Sequence, residues 1–63
     1  MTATELLVNA PDYADDYEFV VARAIDENLW FWGAYENSFK AEQVANEIGG
    51  VILHNVQIQG KRH

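Results

Sequence analysis

The sequence contains no cysteine, so neither a disulfide framework nor a cysteine-ligated zinc ion can stabilise the chain. No apolar run approaches the roughly 20 residues that a membrane-spanning helix needs. The N-terminus also lacks the basic start and apolar core of a signal peptide. Together these absences predict a soluble protein of the cytoplasm.

Positive charge is scarce. Four Lys and Arg residues stand against ten Asp and Glu residues, which gives a net charge of −6. Two of the four cations, Lys61 and Arg62, lie in the last three residues, so Arg23 and Lys40 are the cations of the remaining chain. Direct binding to a nucleic-acid backbone needs clustered Lys and Arg. The composition therefore argues against a direct nucleic-acid contact and favours a basic protein partner.

Apolar material is abundant for so short a chain. Of the 63 residues, 49% are hydrophobic, and the three Phe, three Tyr and two Trp residues make up 13%. This is too much apolar surface for a disordered tail. A domain of this length gains little net stability from its own core, so we expect a single folded domain that is stable as an oligomer.

The chain divides into an N-terminal arm over residues 1–16, a domain over residues 17–59 and a short basic tail over residues 60–63. In the arm, the apolar patch Glu5–Val8 is followed by a turn signal around Pro11. The residue before a proline is pushed out of the helical region. We therefore expect the arm to be extended or to form one helical turn.

Two strands are predicted over residues 17–25 and 29–35, because both segments are rich in β-branched and aromatic residues. Asp26-Glu27-Asn28 is expected to form a three-residue hairpin loop with a positive φ at Asn28. This loop would pair Ile25 with Leu29, Arg23 with Phe31, Val21 with Gly33 and Phe19 with Tyr35. A two-residue loop would shift the register by one, and Gly33 is a candidate β-bulge.

A helix is predicted over residues 38–47, with Ser38 or Asn37 as its N-cap. Gly49-Gly50 should end it, because glycine adopts the left-handed conformation easily. A third strand is expected over residues 51–58, with a bulge or two-sided burial near His54. The predicted fold class is α+β: a three-stranded antiparallel sheet in β-β-α-β order, with one helix on one face and with strand three beside strand one.

Both faces of the predicted hairpin are apolar. An antiparallel sheet with one wet face should alternate apolar and polar residues, and these two strands do not alternate. One short helix shields one face only. The second face could be covered by the N-terminal arm, by a different protein or by a second copy of the chain, and we expect the second copy, which makes a homodimer.

No pattern in the sequence resembles a catalytic site, a metal site or a cofactor site, and we expect a protein that is not an enzyme and uses no cofactor. The acidic run from Asp12 to Glu18 lacks the glycine turn and spaced ligands of a calcium loop. It is interpreted either as a solvated loop or as a negative surface for a basic partner. His54 has no Ser, Cys or acidic partner at a recognisable spacing and is expected to be a packed or edge residue.

Five segments occur in a characteristic order: an acidic first strand around Tyr17–Val21, the Asp26–Asn28 turn, the aromatic Trp30–Trp32 segment, a short helix that begins at Ser38 and a final apolar strand. This order resembles the layout of small phage-encoded uracil-DNA glycosylase inhibitors. Size and charge are also similar to other phage counter-defence proteins, including anti-CRISPR proteins. The resemblance implies an acidic homodimer that mimics DNA and captures an apolar side chain of its target enzyme, in the host-cell cytoplasm if the protein is phage-encoded.

We therefore expect a small acidic inhibitor that blocks a nucleic-acid-processing enzyme, with a homodimeric assembly module as the alternative. The carboxylates expected to form the partner-binding acidic surface are Asp12, Asp15, Asp16, Glu18, Asp26, Glu27 and Glu36. The apolar residues expected to line the dimer interface or a partner pocket are Trp30, Trp32, Tyr35 and Phe39.

Overall fold

The computed structural model describes residues 2–55. Helix α1 (Ala3–Leu6) is a single turn, and a 3₁₀ helix follows at Asp12–Asp16. Strands β1 (Phe19–Ile25) and β2 (Asn28–Tyr35) form a hairpin, and helix α2 (Ser38–Ile48) leads to strand β3 (Val51–His54). The predicted basic tail over residues 60–63 and the predicted strand residues 56–58 lie outside the described residues.

The three strands form one antiparallel sheet in the order β2-β1-β3. Strand β1 is central and pairs with β2 along its whole length, whereas β3 pairs only with Phe19–Ala22. The predicted α+β fold class, with strand three beside strand one, is confirmed. Strand β3 pairs with β1 from Val51 to His54 without a bulge, so of the two alternatives predicted near His54 the bulge is wrong for this pairing.

The hairpin turn differs from the three-residue loop that the sequence predicts. Asp26 and Glu27 form a two-residue loop, and both have positive φ, at 53° and 69°. Asn28 is the first residue of β2 and pairs with Ile25. Two central residues with positive φ match the right-handed twist of the flanking strands, and this match outweighs the preference of Asn for the left-handed region. The predicted pairs Ile25–Leu29 and Arg23–Phe31 are therefore wrong by one residue.

A β-bulge restores the predicted register further along the hairpin. Ala22 pairs with Phe31 while the preceding residue, Val21, pairs with Gly33, so Trp32 is the extra residue on β2. Beyond this bulge the pairs Val21–Gly33 and Phe19–Tyr35 are those predicted. One extra residue in a strand accentuates the local twist and disrupts the ladder.

Helix α2 covers one face of the sheet. Asn37 is its N-cap, and its side-chain oxygen accepts hydrogen bonds from the amides of Phe39 and Lys40, at 2.8 and 3.2 Å. The helix ends where Gly49 takes a φ of 67°, as predicted. The buried side chains of this layer include Ala41 and Ala45 from α2 and Val21 from β1.

The N-terminal arm covers the opposite face. Its Ala3, Leu7 and Ala14 are buried in one cluster with Val20 and Ala22 of β1. The arm also extends the sheet at the free edge of β2, where the amide of Val8 donates to the carbonyl of Leu29 (2.8 Å) and the amide of Phe31 donates to the carbonyl of Val8 (3.1 Å). The N-terminal arm, and not the expected second copy of the chain, therefore covers this face, so that expectation is wrong for this face.

Asn55 connects the arm to the end of β3 through hydrogen bonds. It is fully buried, its side-chain amide donates to the carbonyls of Ala14 (2.8 Å) and Tyr17, and its backbone amide donates to the carbonyl of Glu18 (3.0 Å). Nothing in the sequence pattern identifies this residue, because its partners are backbone carbonyls about forty positions away.

We predict that Glu27→Gly stabilises the protein by about 0.5–1 kcal/mol. Glycine adopts positive φ without the steric cost of a Cβ atom, and this gain exceeds its larger entropy in the unfolded chain. Urea unfolding followed by circular dichroism measures the change. Glu27→Ala removes the same charge but keeps the Cβ, so it should leave the stability nearly unchanged. Equal stabilities of the two variants would contradict the two-residue loop.

We predict that Asn55→Ala lowers the free energy of unfolding by about 2 kcal/mol, because the buried carbonyl of Ala14 and the partly buried carbonyl of Tyr17 lose their donor. The matched control is Asn46→Ala, at an exposed position of α2, which should be neutral or slightly stabilising. Chemical denaturation of both variants tests this. A loss below 0.5 kcal/mol for Asn55→Ala, on the scale of an ordinary surface change, would show that Asn55 does not fasten the arm.

Candidate functional site

Two of the predicted acidic residues lie together at the end of the sheet where β1 begins and β2 ends, which we call the base. Glu18 and Glu36 are both exposed and flank the Phe19–Tyr35 pair, Glu18 just before β1 and Glu36 just after β2. Exposed Asp16, at the end of the 3₁₀ helix, precedes Glu18 by two residues. The base therefore carries three solvated carboxylates: Asp16, Glu18 and Glu36.

Asp26 and Glu27 lie at the opposite end of the hairpin. Both are exposed in the two-residue turn. Seven residues of β1 separate this turn from the base, a distance of about 20 Å at the rise of a β-strand. The structure therefore divides the predicted acidic surface into a base group and a turn group.

Asp15 differs from the other carboxylates because it is partly buried and binds within the arm. Its carboxylate accepts hydrogen bonds from the backbone amide of Thr4, at 3.1 Å, and from the Thr4 hydroxyl. Thr4 lies in the first turn of α1, where backbone amides have no partner within the helix. Asp15 thus links the 3₁₀ helix to α1, while Asp12, at the start of the 3₁₀ helix, is exposed.

The four predicted apolar residues do not form one surface. Tyr35 packs in the core layer beneath α2, and its ring lies over Gly33, where an added Cβ would be 2.6 Å from the tyrosine hydroxyl. Phe39 is in the first turn of α2, close in sequence to Glu36, and its side chain is 73% exposed. Phe39 is therefore an exposed side chain near the base, whereas Tyr35 is part of the packed layer beneath α2.

Trp30 and Trp32 lie in the half of the hairpin nearer the turn. Trp30 is partly buried, pairs with Arg23 across the hairpin and bridges Val8 of the arm. Its indole Nε1 is buried and has no hydrogen-bond partner among residues 2–55. Trp32, the extra residue of the bulge, is 49% exposed.

Ile25 is an exposed apolar residue that the sequence did not single out. It is the last residue of β1, next to the turn, and is 42% exposed. An isoleucine in an apolar strand is usually buried. The Ile25 side chain is exposed because α2 packs over Val21 and Ile52 and contributes no residue opposite Ile25.

His54 packs against the rim of the core. Its ring lies edge-to-face on Phe19, with the centroids 4.9 Å apart, and the residue is exposed. Within residues 2–55 no group of three or more His, Asp and Glu side chains is placed to hold a metal ion. In the same part of the chain no helix is long and apolar enough to cross a membrane.

Comparison with known proteins identified no relative: no protein-family model, no curated protein and no solved structure matches this chain. The chemistry of the surface is therefore the basis for assigning a function.

We predict that Asp15→Asn lowers the free energy of unfolding by about 1–2 kcal/mol, because an amide replaces one of the two carboxylate oxygens that accept from Thr4. Asp16→Asn, the neighbouring exposed carboxylate, makes the same change in charge and should cost less than 0.5 kcal/mol. Thermal or urea unfolding compares the two. Equal losses would contradict a structural role of Asp15.

Proposed function

We propose that this protein is a small acidic inhibitor that binds a basic nucleic-acid-processing enzyme and occupies the surface where that enzyme would bind DNA. In this proposal the carboxylates of the base take the positions of DNA phosphates. A phage counter-defence protein, such as an inhibitor of uracil-DNA glycosylase, is the kind of protein in which such a surface would be used.

The observation that carries the proposal is the one-sided charge. Residues 2–55 contain all ten carboxylates of the chain and only two of its Lys and Arg residues, Arg23 and Lys40. Such an excess of one sign gives a potential that attracts a positively charged surface and accelerates association with it. It also repels nucleic acid, so the surface suits a protein that competes with DNA for a basic enzyme.

The arrangement of the base supports the same proposal. Glu18 and Glu36 flank paired residues on neighbouring strands, which are about 5 Å apart, so the two carboxylates begin from closely spaced backbone positions. Each is one residue away from the paired sheet, which restricts its backbone and lowers the entropy lost on binding.

Phe39 adds an apolar contact to this acidic surface. It is the most exposed large hydrophobic side chain among the described residues. An aromatic side chain that is exposed in the free protein gains free energy when a partner buries it, and central aromatic residues dominate many interfaces. In the proposed complex Phe39 packs against an apolar side chain of the enzyme beside the carboxylate contacts.

The proposal predicts that the variant Asp16→Asn/Glu18→Gln/Glu36→Gln binds the target enzyme at least tenfold more weakly. The control Glu27→Gln/Glu42→Gln/Glu47→Gln removes the same three charges from exposed positions away from the base, and it should weaken binding only a few-fold. Inhibition of a uracil-DNA glycosylase, measured at two salt concentrations with competing duplex DNA, is the first assay. Affinity chromatography from bacterial lysate, with elution by duplex DNA, extends it to other enzymes.

The outcomes separate inhibition from other roles. A retained nucleic-acid enzyme that duplex DNA displaces, and that the base variant no longer retains, supports the proposal. Equal inhibition by the base variant and the parent would show that DNA mimicry is wrong. Retention of virion or scaffold proteins that DNA does not displace would favour an assembly module instead.

A homodimeric assembly module is the second candidate function. The exposed Ile25 and Trp32 side chains favour it, because both lie on the hairpin away from the acidic base. Apolar side chains left in water on a sheet are a common site of protein association.

A further inference from the structure

The hairpin extends beyond strand β3. Strand β3 pairs with β1 only as far as Ala22, so within residues 2–55 the last three pairs of the hairpin have no third strand beside β1. We call the segment from Arg23 to Trp30 the outer hairpin. It consists of three cross-strand pairs and the Asp26-Glu27 turn.

One face of the outer hairpin carries Ile25, which is exposed, and Trp30, which is partly buried. Successive residues of a strand alternate between faces, so Arg23 and Ile25 lie on the same face as Val21, which α2 covers. Trp30 pairs with Arg23 and shares that face. None of these three outer residues belongs to the buried layer beneath α2, and Ile25 is 42% exposed.

Charges of both signs border this apolar face. The Arg23 side chain is exposed and forms no hydrogen bond or ion pair with any residue from 2 to 55. Asp26 and Glu27 lie at the other side of Ile25, in the turn, and are exposed. Along the chain the cation Arg23 is therefore followed by apolar Ile25 and then by the anions Asp26 and Glu27.

We propose that this face binds a second copy of the same chain, with the two outer hairpins stacked antiparallel about a two-fold axis near Ile25. A two-fold axis places each residue opposite a different residue of the same patch. Because Ile25 lies between Arg23 and the turn, the axis sets Arg23 of each copy against the Asp26-Glu27 turn of the other. Ile25 and Trp30 of both copies are then buried between the hairpins.

Charge complementarity favours this occupant over others. The outer hairpin carries the one arginine among residues 2–55, whereas the base carries three exposed carboxylates and would repel a second base. Stacking through the outer hairpins keeps the two acidic bases apart, about 20 Å from the axis by strand rise. Each side of the interface is small, and this predicts a weak dimer, in the micromolar range. Its residues are Arg23, Ile25, Asp26, Glu27 and Trp30.

Sedimentation equilibrium between about 1 µM and about 1 mM, a range that brackets a micromolar dissociation constant, tests the proposal with three variants. Arg23→Glu and Glu27→Lys should each weaken self-association about tenfold or more, because each places like charges in contact. Ile25→Thr should weaken it without a change in charge. An equimolar mixture of Arg23→Glu and Glu27→Lys should restore dimers, because both contacts in the mixed dimer join opposite charges.

The matched control is Lys40→Glu, which makes the same change in charge as Arg23→Glu at an exposed position of α2. It should leave the dimerisation constant within about twofold, a difference smaller than 0.5 kcal/mol. Circular dichroism and urea unfolding verify that each variant is folded, which the exposure of the substituted residues makes the expected result.

A parent protein that stays monomeric over the whole range overturns the proposal, as does a dimer that Arg23→Glu and Ile25→Thr leave unchanged. Mixed variants that do not associate also overturn it. The dimer surface is separate from the acidic base, so failure here leaves the inhibition assay unaffected, and failure of inhibition leaves the sedimentation result unaffected.

Discussion

The fold depends on one constraint: the central strand has apolar side chains on both faces, so both faces must be kept from water. Val21 packs beneath α2, while Val20 and Ala22 pack beneath the N-terminal arm. The hydrophobic effect acts on both layers, and neither is large. Without cysteine or a metal site among its described residues, the domain holds its second layer with the Val8 bridge, the Asn55 amide and the Thr4–Asp15 contact.

Much of this fold follows from local sequence patterns. The β-branched and aromatic runs located both hairpin strands, because such runs are typical of strands. Asn37 and Gly49 located the ends of the helix, because both residue types suit helix caps. The turn could not be predicted in the same way. Glu27 has no preference for positive φ, and strand twist and pairing impose that conformation on it. The extra residue at Trp32 compensates for the shorter loop.

The candidate site was predictable in composition but not in arrangement. The sequence gives the number of carboxylates, yet only the register places Glu18 beside Glu36 and the Asp26–Glu27 turn at the far end of the hairpin. Asp15 and Asp16 are adjacent residues of the same type, but Asp15 accepts hydrogen bonds from Thr4 whereas Asp16 is exposed to solvent. The contacts of Asn55 and the exposure of Ile25 depend on tertiary packing, for which a single sequence carries no local signal.

Hydrogen exchange at single amides tests the central claim, that the arm is an integral layer of the fold, most directly. The Val8 and Phe31 amides donate across the junction between arm and sheet. By this account both should be protected in the unmodified protein, with opening free energies close to those of the β1–β2 amides. Exchange of the Val8 amide at the rate of an unstructured peptide, with the β1–β2 amides still protected, would show that the arm leaves the sheet and would contradict the account.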